Sequence, residues 1–157
     1  MKGCKLMKKR VSCRGIIISE DKIAIMHRIK KDREYYVYPG GRLENDESKE
    51  TAAIREIYEE LGIEVDIKKL VYIYENNNTM QYFYLCDWKE GKFGTGQGPE
   101  MINPYEHKGE YIPTLYDLKD IVMIELEPKL LTKQLIADIK EFGVQLSDEV
   151  KKLFDKD

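Results

Sequence analysis

The chain has 157 residues, enough for one domain with a sizeable core. Apolar residues make up 42% and charged residues 35%, an ordinary globular mixture, and no apolar run reaches the roughly 18 residues of a membrane span. The net charge of −3 gives no global attraction to nucleic acid or membrane, so any hold on phosphate must be local.

Residues 1–10 are basic but carry no signal-peptide cleavage pattern. Cys4, Cys13 and Cys86 are scattered, odd in number and without metal-binding spacing, which implies a reduced, cytoplasmic protein. Residues 11–19 read as a strand, 19–22 as a turn and 23–26 as a second strand of a hairpin. A basic loop is expected over 27–34, then a short aromatic strand over 35–38, ended by Pro39-Gly40-Gly41. Ser48 is a good N-cap for a helix that runs to about Leu61 and stops at Gly62. Strands are expected over 65–75 and 79–88, around three asparagines. A glycine-rich stretch follows over 89–110, longer than an ordinary connection. Residues 111–115 read as a strand, and 128–142 and 147–154 as helices. No repeat or linker interrupts the chain. A single domain over 1–157 is expected, with a core over about 10–142 and a helical extension over 143–157. Strands on both sides of one central helix suggest an α/β fold with a mixed sheet.

The central helix carries a local conflict. Glu56, Glu59 and Glu60 place three carboxylates within five residues, close to the helix end where anions oppose the dipole. Like charges at this spacing repel by roughly 0.2–0.5 kcal/mol per pair. With Glu56 at zero, Glu60 lies at about +40° and Glu59 at about −60° around the helix. Ile57, Leu61 and Ile54 fall on the other side, at about 100° to 160°. Ala52 lies between the carboxylates, where a small side chain leaves room. An acidic cluster is ordinarily a solvated face. A divalent cation such as Mg²⁺ is the sharper alternative, because oxygen ligands neutralise it and lose their repulsion.

The surrounding run, Gly41 to Ile63, resembles the signature of the Nudix hydrolase family, the MutT-like proteins. Gly41, Glu47, Arg55, Glu56, Ile57, Glu59, Glu60, Gly62 and Ile63 occupy its fixed positions. The resemblance implies an α/β/α sandwich with a loop–helix–loop motif that binds Mg²⁺ or Mn²⁺. It implies Glu56, Glu59, Glu60 and the Gly40 carbonyl as metal ligands, and Glu47 as the partner of Arg55, aiming Glu56. It further implies hydrolysis of a pyrophosphate bond in a nucleoside diphosphate-linked compound. The absence of long insertions favours a nucleoside triphosphate, oxidised forms included, cleaved to the monophosphate and pyrophosphate. ADP-ribose, dinucleoside polyphosphates, RNA ends and non-catalytic nucleotide binding are the alternatives. A small-molecule nucleotide is the expected partner, with no membrane and no nucleic acid, and a homodimer is left open.

Other residues enter around this motif. Glu100 follows Gly94, Gly96 and Gly98, so a mobile flap could deliver it as the base; Glu56 and Glu59 are the rival bases. Glu106 and Glu110 share that loop and could replace Glu100. The glycine spacing matches neither a P-loop nor a dinucleotide fingerprint. The resemblance also implies that Arg28, at a strand end, contacts phosphate beside Gly40 and Gly41. Lys30 and Lys31 read as solvated, His27 and His107 as ordinary polar residues. Tyr35, Tyr36 and Tyr38 alternate between core and groove.

Overall fold

A computed structural model describes residues 8–102 and 109–156. Its first strand, β1 (Arg10–Ser19), runs through the middle of the sheet. β2 (Lys22–Lys30), β3 (Arg33–Val37) and β4 (Gly40–Arg42) follow. Then come α1 (Lys49–Leu61), β5 (Ile63–Glu75) and β6 (Thr79–Gly91). The chain closes with a short α2 (Pro99–Ile102), β7 (Glu110–Asp117) and a 3-10 turn (Leu118–Met123). β8 (Leu126–Glu127), α3 (Lys129–Phe142) and β9 (Lys151–Phe154) complete it.

The main path of the sheet is β8-β3-β2-β1-β6-β5-β9, with β4 paired to β1 and β7 to β2. It is mixed: β1 runs parallel to β6, β3 to β8 and β5 to β9, whereas the remaining pairs are antiparallel. Side chains alternate across a strand, so β1 feeds two cores. Cys13 and Ile17 pack under α1 with Ala53, Ile57 and Leu61. Ile16 packs on the opposite face with Phe83, Leu85, Leu131 and Leu135, beneath α3. This is the expected α/β/α arrangement. Burial raises the thiols of Cys13 and Cys86, to about 11 and about 12, so both are inert at neutral pH.

Two expected elements are corrected. The basic loop over 27–34 is instead the end of β2, a two-residue turn and the start of β3. Its polar side chains are met across the strands. His27 stacks on Tyr36 with ring centres 4.4 Å apart, and its Nε2 lies 2.8 Å from Glu34 Oε2. The helix expected over 147–154 is absent, and with it the helical extension: Lys151–Phe154 form β9. The edge of β5 otherwise presents unpaired backbone groups, and β9 covers it in parallel register, Tyr72 with Lys151 through Glu75 with Phe154. Leu153 meanwhile packs against the α3-side core.

Asp138 of α3 ties this strand down. Its buried carboxylate accepts hydrogen bonds from Tyr72 Oη (2.5 Å), Lys151 Nζ (2.6 Å) and Gln134 Nε2 (3.0 Å). Burial alone would raise this carboxyl, but the three donors outweigh it and hold it below its ordinary value. A depressed carboxyl stabilises the fold above its unfolded-state pKa of about 4 and loses that contribution as pH falls further. Asp138→Asn is therefore expected to cost about 2–3 kcal/mol at pH 7. In urea denaturation the gap to wild type should narrow at pH 3; an equal gap at both pH values contradicts this assignment.

Candidate active site

β1 pairs with β2 only at its far end, through Ile18–Ile23 and Ser19–Lys22. Its near half, Ser12 to Arg14, pairs instead with β4. The two strands thus part, and a cleft of about 930 Å³ opens where β4 enters. Gly40, Gly41, Glu56 and Glu60 line it together with Arg14, Arg28 and Tyr111.

α1 is set by local chemistry at both ends. The Ser48 hydroxyl accepts from Thr51 N at 3.1 Å, and Gly62 takes the left-handed conformation, φ 78°, as the terminal cap. The carboxylate side of the helix is not open to solvent as its periodicity implied. Ala52 is fully buried and Glu60 is 7% exposed, because β4 lies across this face. Glu60 Oε1 accepts from Gly40 N at 3.0 Å. A Cβ on Gly41 would stand 2.4 Å from Glu56 Cδ, so glycine there is what lets the Glu56 carboxylate lie against β4.

Arg55 gathers the remaining acids. Its Nε and Nη2 donate to Glu47 at 2.5 and 3.1 Å, and its Nη1 donates to Glu56 Oε2 at 3.1 Å. Glu59 lies 3.5 Å from the same Nη1 and is not among the residues lining the cleft. The hydrogen bond to Glu47 raises Arg55 further above its ordinary value, and Arg55 in turn holds Glu47 below the usual carboxylate range. Arg55 thus holds Glu56 by a fork anchored on Glu47, a second contact that restricts where the carboxylate can point.

The donors offered to a cation are oxygens only: the carboxylates of Glu56, Glu59 and Glu60 and the Gly40 carbonyl. This set fits Mg²⁺ or Mn²⁺ in kind. Among the described residues no three acidic or imidazole side chains form a ready-made cation cluster. Glu60 is instead turned onto the Gly40 amide, and Glu56 and Glu59 onto Arg55.

The glycine-rich stretch has a defined place. Gly94 N donates to Leu61 O at 2.8 Å and Gly98 N to Glu59 O at 2.9 Å. These amides satisfy carbonyls at the C-terminus of α1, where the acidic side chains are least favoured. A Cβ on Gly96 would meet Glu60 O at 2.3 Å and Glu59 O at 2.4 Å, both backbone atoms. The segment over 94–98 is thus docked on α1. Gly96→Ala is expected to destabilise by about 1–3 kcal/mol through this overpacking. Thermal melting checks it: an unchanged midpoint means that the strap does not bear on the helix. Glu100 falls in α2, directly after the strap. Glu106 and His107 lie outside the described residues.

Arg28 is 8% exposed, and its guanidinium carbon lies 3.6 Å from the Tyr111 ring centre, a cation–π stack. Its Nε donates to Glu110 O at 3.2 Å. Tyr35 also lines the cleft, whereas Tyr38 is wholly buried, with its Oη 2.7 Å from Thr132 Oγ1. Sequence reading missed Arg14. Its Nη1 donates to Tyr38 O at 2.9 Å and Gly40 O at 3.3 Å, and its Nε to Gln81 Oε1 at 3.0 Å. The available signal was a charge between Cys13 and the apolar run Ile16–Ile18, on the face of β1 that also carries Ile16. Glu127, at the far side of the cleft, was also missed; burial raises its carboxyl despite Arg33 beside it.

Known proteins can be set beside this geometry. Residues 8–113 match the family model described as NUDIX domain. A "MutT-like protein" of Streptomyces ambofaciens is 39% identical over 66 residues, covering 42% of each chain. "Diphosphoinositol polyphosphate phosphohydrolase 2" of Mus musculus is 28% identical over 78 residues, covering 50% of this chain and 44% of that one. The chain thus matches less than half the length of either relative. Among solved structures, an ADP-ribose pyrophosphatase of Streptococcus suis superposes with a TM-score of 0.64. It is 22% identical, covering 94% of this chain and all of that one, a likeness of fold.

Proposed function

The chain belongs to the NUDIX domain family, and from that premise we infer that it hydrolyses a pyrophosphate bond in a nucleoside diphosphate-linked compound. A nucleoside triphosphate, oxidised forms included, is the favoured substrate, cleaved to the monophosphate and pyrophosphate. One observation carries this reading: Glu56 and Glu60 are held against Gly41 and Gly40 at one wall of a cleft that Arg14 and Arg28 also line. Acids for a cation and guanidinium groups for phosphate thus share one space, as cleavage of a charged anhydride requires.

Glu56, Glu59, Glu60 and the Gly40 carbonyl would hold Mg²⁺ or Mn²⁺. When bound, the ion offsets the charge of the diphosphate and stabilises the leaving phosphate. The protein's own groups do the rest. Arg28 holds phosphate oxygens, its guanidinium oriented by the Tyr111 ring. A water oxygen bonds to one phosphorus, the bridging P–O bond breaks towards the other phosphate, and a carboxylate takes the water's proton. Glu56, Glu59 and Glu100 are the candidates for that carboxylate. If Glu100 serves, Glu100→Gln should lower kcat with KM nearly unchanged, whatever the metal concentration. Partial rescue by extra metal would instead make it a ligand.

A second reading has its own support. Arg10 and Arg42 also line the cleft, so it carries four arginines, more than a single diphosphate needs. A diphosphate on a polyphosphorylated scaffold would use them, and one relative is named for such a substrate. A hydrolysis screen over nucleoside triphosphates, ADP-ribose, dinucleoside polyphosphates and diphosphoinositol polyphosphates, with Mg²⁺ and with Mn²⁺, separates the two. Failure on every substrate, with folded protein and both metals, overturns the enzymatic reading. We further read residues 1–157 as one domain, since β9 joins the same sheet as β1, and place it in the cytoplasm on its free, buried Cys13 and Cys86.

A further inference from the structure

We propose that Arg14 is a substrate-contacting residue, a fixed guanidinium that grips a phosphoryl oxygen of the scissile diphosphate beside Glu56 and Glu60. The proposal rests on the pyrophosphohydrolase reading above. Three acceptors hold two of the three guanidinium nitrogens of Arg14: Gln81 Oε1 at Nε, and Tyr38 O and Gly40 O at Nη1. Among the described residues, none of the hydrogen bonds of Arg14 uses Nη2. That nitrogen carries two N–H donors, and the residue lines the cleft.

The backbone lies close at this point. A Cβ on Gly40, at φ +140°, would meet the β1 backbone first, Cys13 O at 2.3 Å and Arg14 Cα at 2.6 Å, and then Arg14 Cγ at 2.9 Å, so glycine there lets β4 lie against β1 at Arg14. Two of its acceptors are neutral carbonyls and the third a neutral amide, so they fix the fork in place without neutralising its charge. Nor do the helix acids depend on it for direct pairing. Glu56 is bridged by Arg55, and Glu60 accepts from the Gly40 amide. The Gly40 residue thus touches both groups: its N–H is bonded to Glu60 and its C=O to Arg14. With Nε and Nη1 anchored, the planar guanidinium is fixed in orientation and Nη2 can donate to a phosphoryl oxygen, a directed contact that a lysine ammonium matches as a point charge only.

The alternative role is a brace that only shapes the turn over 38–40. Inorganic pyrophosphate separates the two, because it carries the shared diphosphate and no nucleoside. Calorimetric titrations with pyrophosphate in Mg²⁺ would compare wild type with Arg14→Gln and Arg14→Lys. Mn²⁺ binding without pyrophosphate and thermal midpoints would be read in parallel. Arg14→Gln should weaken pyrophosphate binding by about 10–100-fold, with Arg14→Lys recovering part of the loss. Mn²⁺ affinity should not fall below wild type, since Arg14 is not a ligand and its loss frees the Gly40 carbonyl. On substrate, KM should rise with the loss. Pyrophosphate affinity equal to wild type in both variants overturns the proposal. So does a loss that only follows a matching drop in Mn²⁺ affinity, which identifies a brace. If Arg14→Gln does not fold, Arg14→Lys decides alone: wild-type pyrophosphate affinity in it overturns the proposal. Wild-type protein that binds neither Mn²⁺ nor pyrophosphate fails the underlying reading instead, before any variant is compared.

Discussion

Turnover is expected to stop on thorough chelation with EDTA and to return when Mg²⁺ or Mn²⁺ is restored. The reason is the local charge of the wall that α1 presents to the cleft. Glu56 and Glu60 line it, and Glu44 and Glu127 add further carboxylates. Arg55 offsets Glu56 only by sharing itself with Glu47 and Glu59. A diphosphate approaching this wall meets anions, and two unit charges at 4 Å repel by about 4 kcal/mol at the effective dielectric of a protein surface. A divalent cation reverses that sign and releases Glu56 and Glu60 from repelling one another. Binding also stabilises the fold by mass action, by about 2.7 kcal/mol at one hundred times the dissociation constant. Melting temperature should therefore rise with Mg²⁺ over the same range in which activity appears. Hydrolysis that survives chelation, or a midpoint indifferent to metal, would remove the cation from the account.

Glu60→Gln should cut kcat by about 10²–10⁴-fold at saturating metal, the equivalent of several kcal/mol of lost charge stabilisation. From the helical period alone this looks like an exposed substitution that relieves repulsion. The tertiary setting changes the stability argument, since Glu60 is 7% exposed and accepts the Gly40 N–H at 3.0 Å. A glutamine oxygen can take over that hydrogen bond, so stability without metal should stay within about 1 kcal/mol. The exchange removes one carboxylate charge and leaves the packing of β4 on α1 in place. Metal-free melting and steady-state kinetics across a Mg²⁺ titration check the two halves separately. Wild-type turnover in the variant would rule Glu60 out as an essential ligand, whereas a large drop in metal-free stability would make its role structural.

Much of α1 was legible locally. Ser48 and Gly62 mark its ends by capping chemistry that involves only neighbours in the chain. The Gly41 to Ile63 spacing likewise names the family, because one loop and one helix carry every fixed position. Strands β5 and β6 announced themselves by apolar and aromatic runs around an asparagine turn. By itself, then, the sequence determined the mixed α/β architecture, the family and the helix that carries the acids. Each depends on interactions within a few residues.

What lies outside that range was decided by tertiary contact. Residues 151–154 form a strand because an edge of β5 needed a partner, a demand invisible at their own position. Glu60 is buried because β4 crosses the helix, and the carbonyls of Glu59 and Leu61 are satisfied by amides over thirty residues further on. Arg14 enters the cleft only because β1 leaves β2 and pairs with β4, which brings the Gly40 carbonyl to its guanidinium. Periodicity reports which face of an element is apolar. It does not report what the rest of the chain lays across the polar one, and on that polar face this cleft is built.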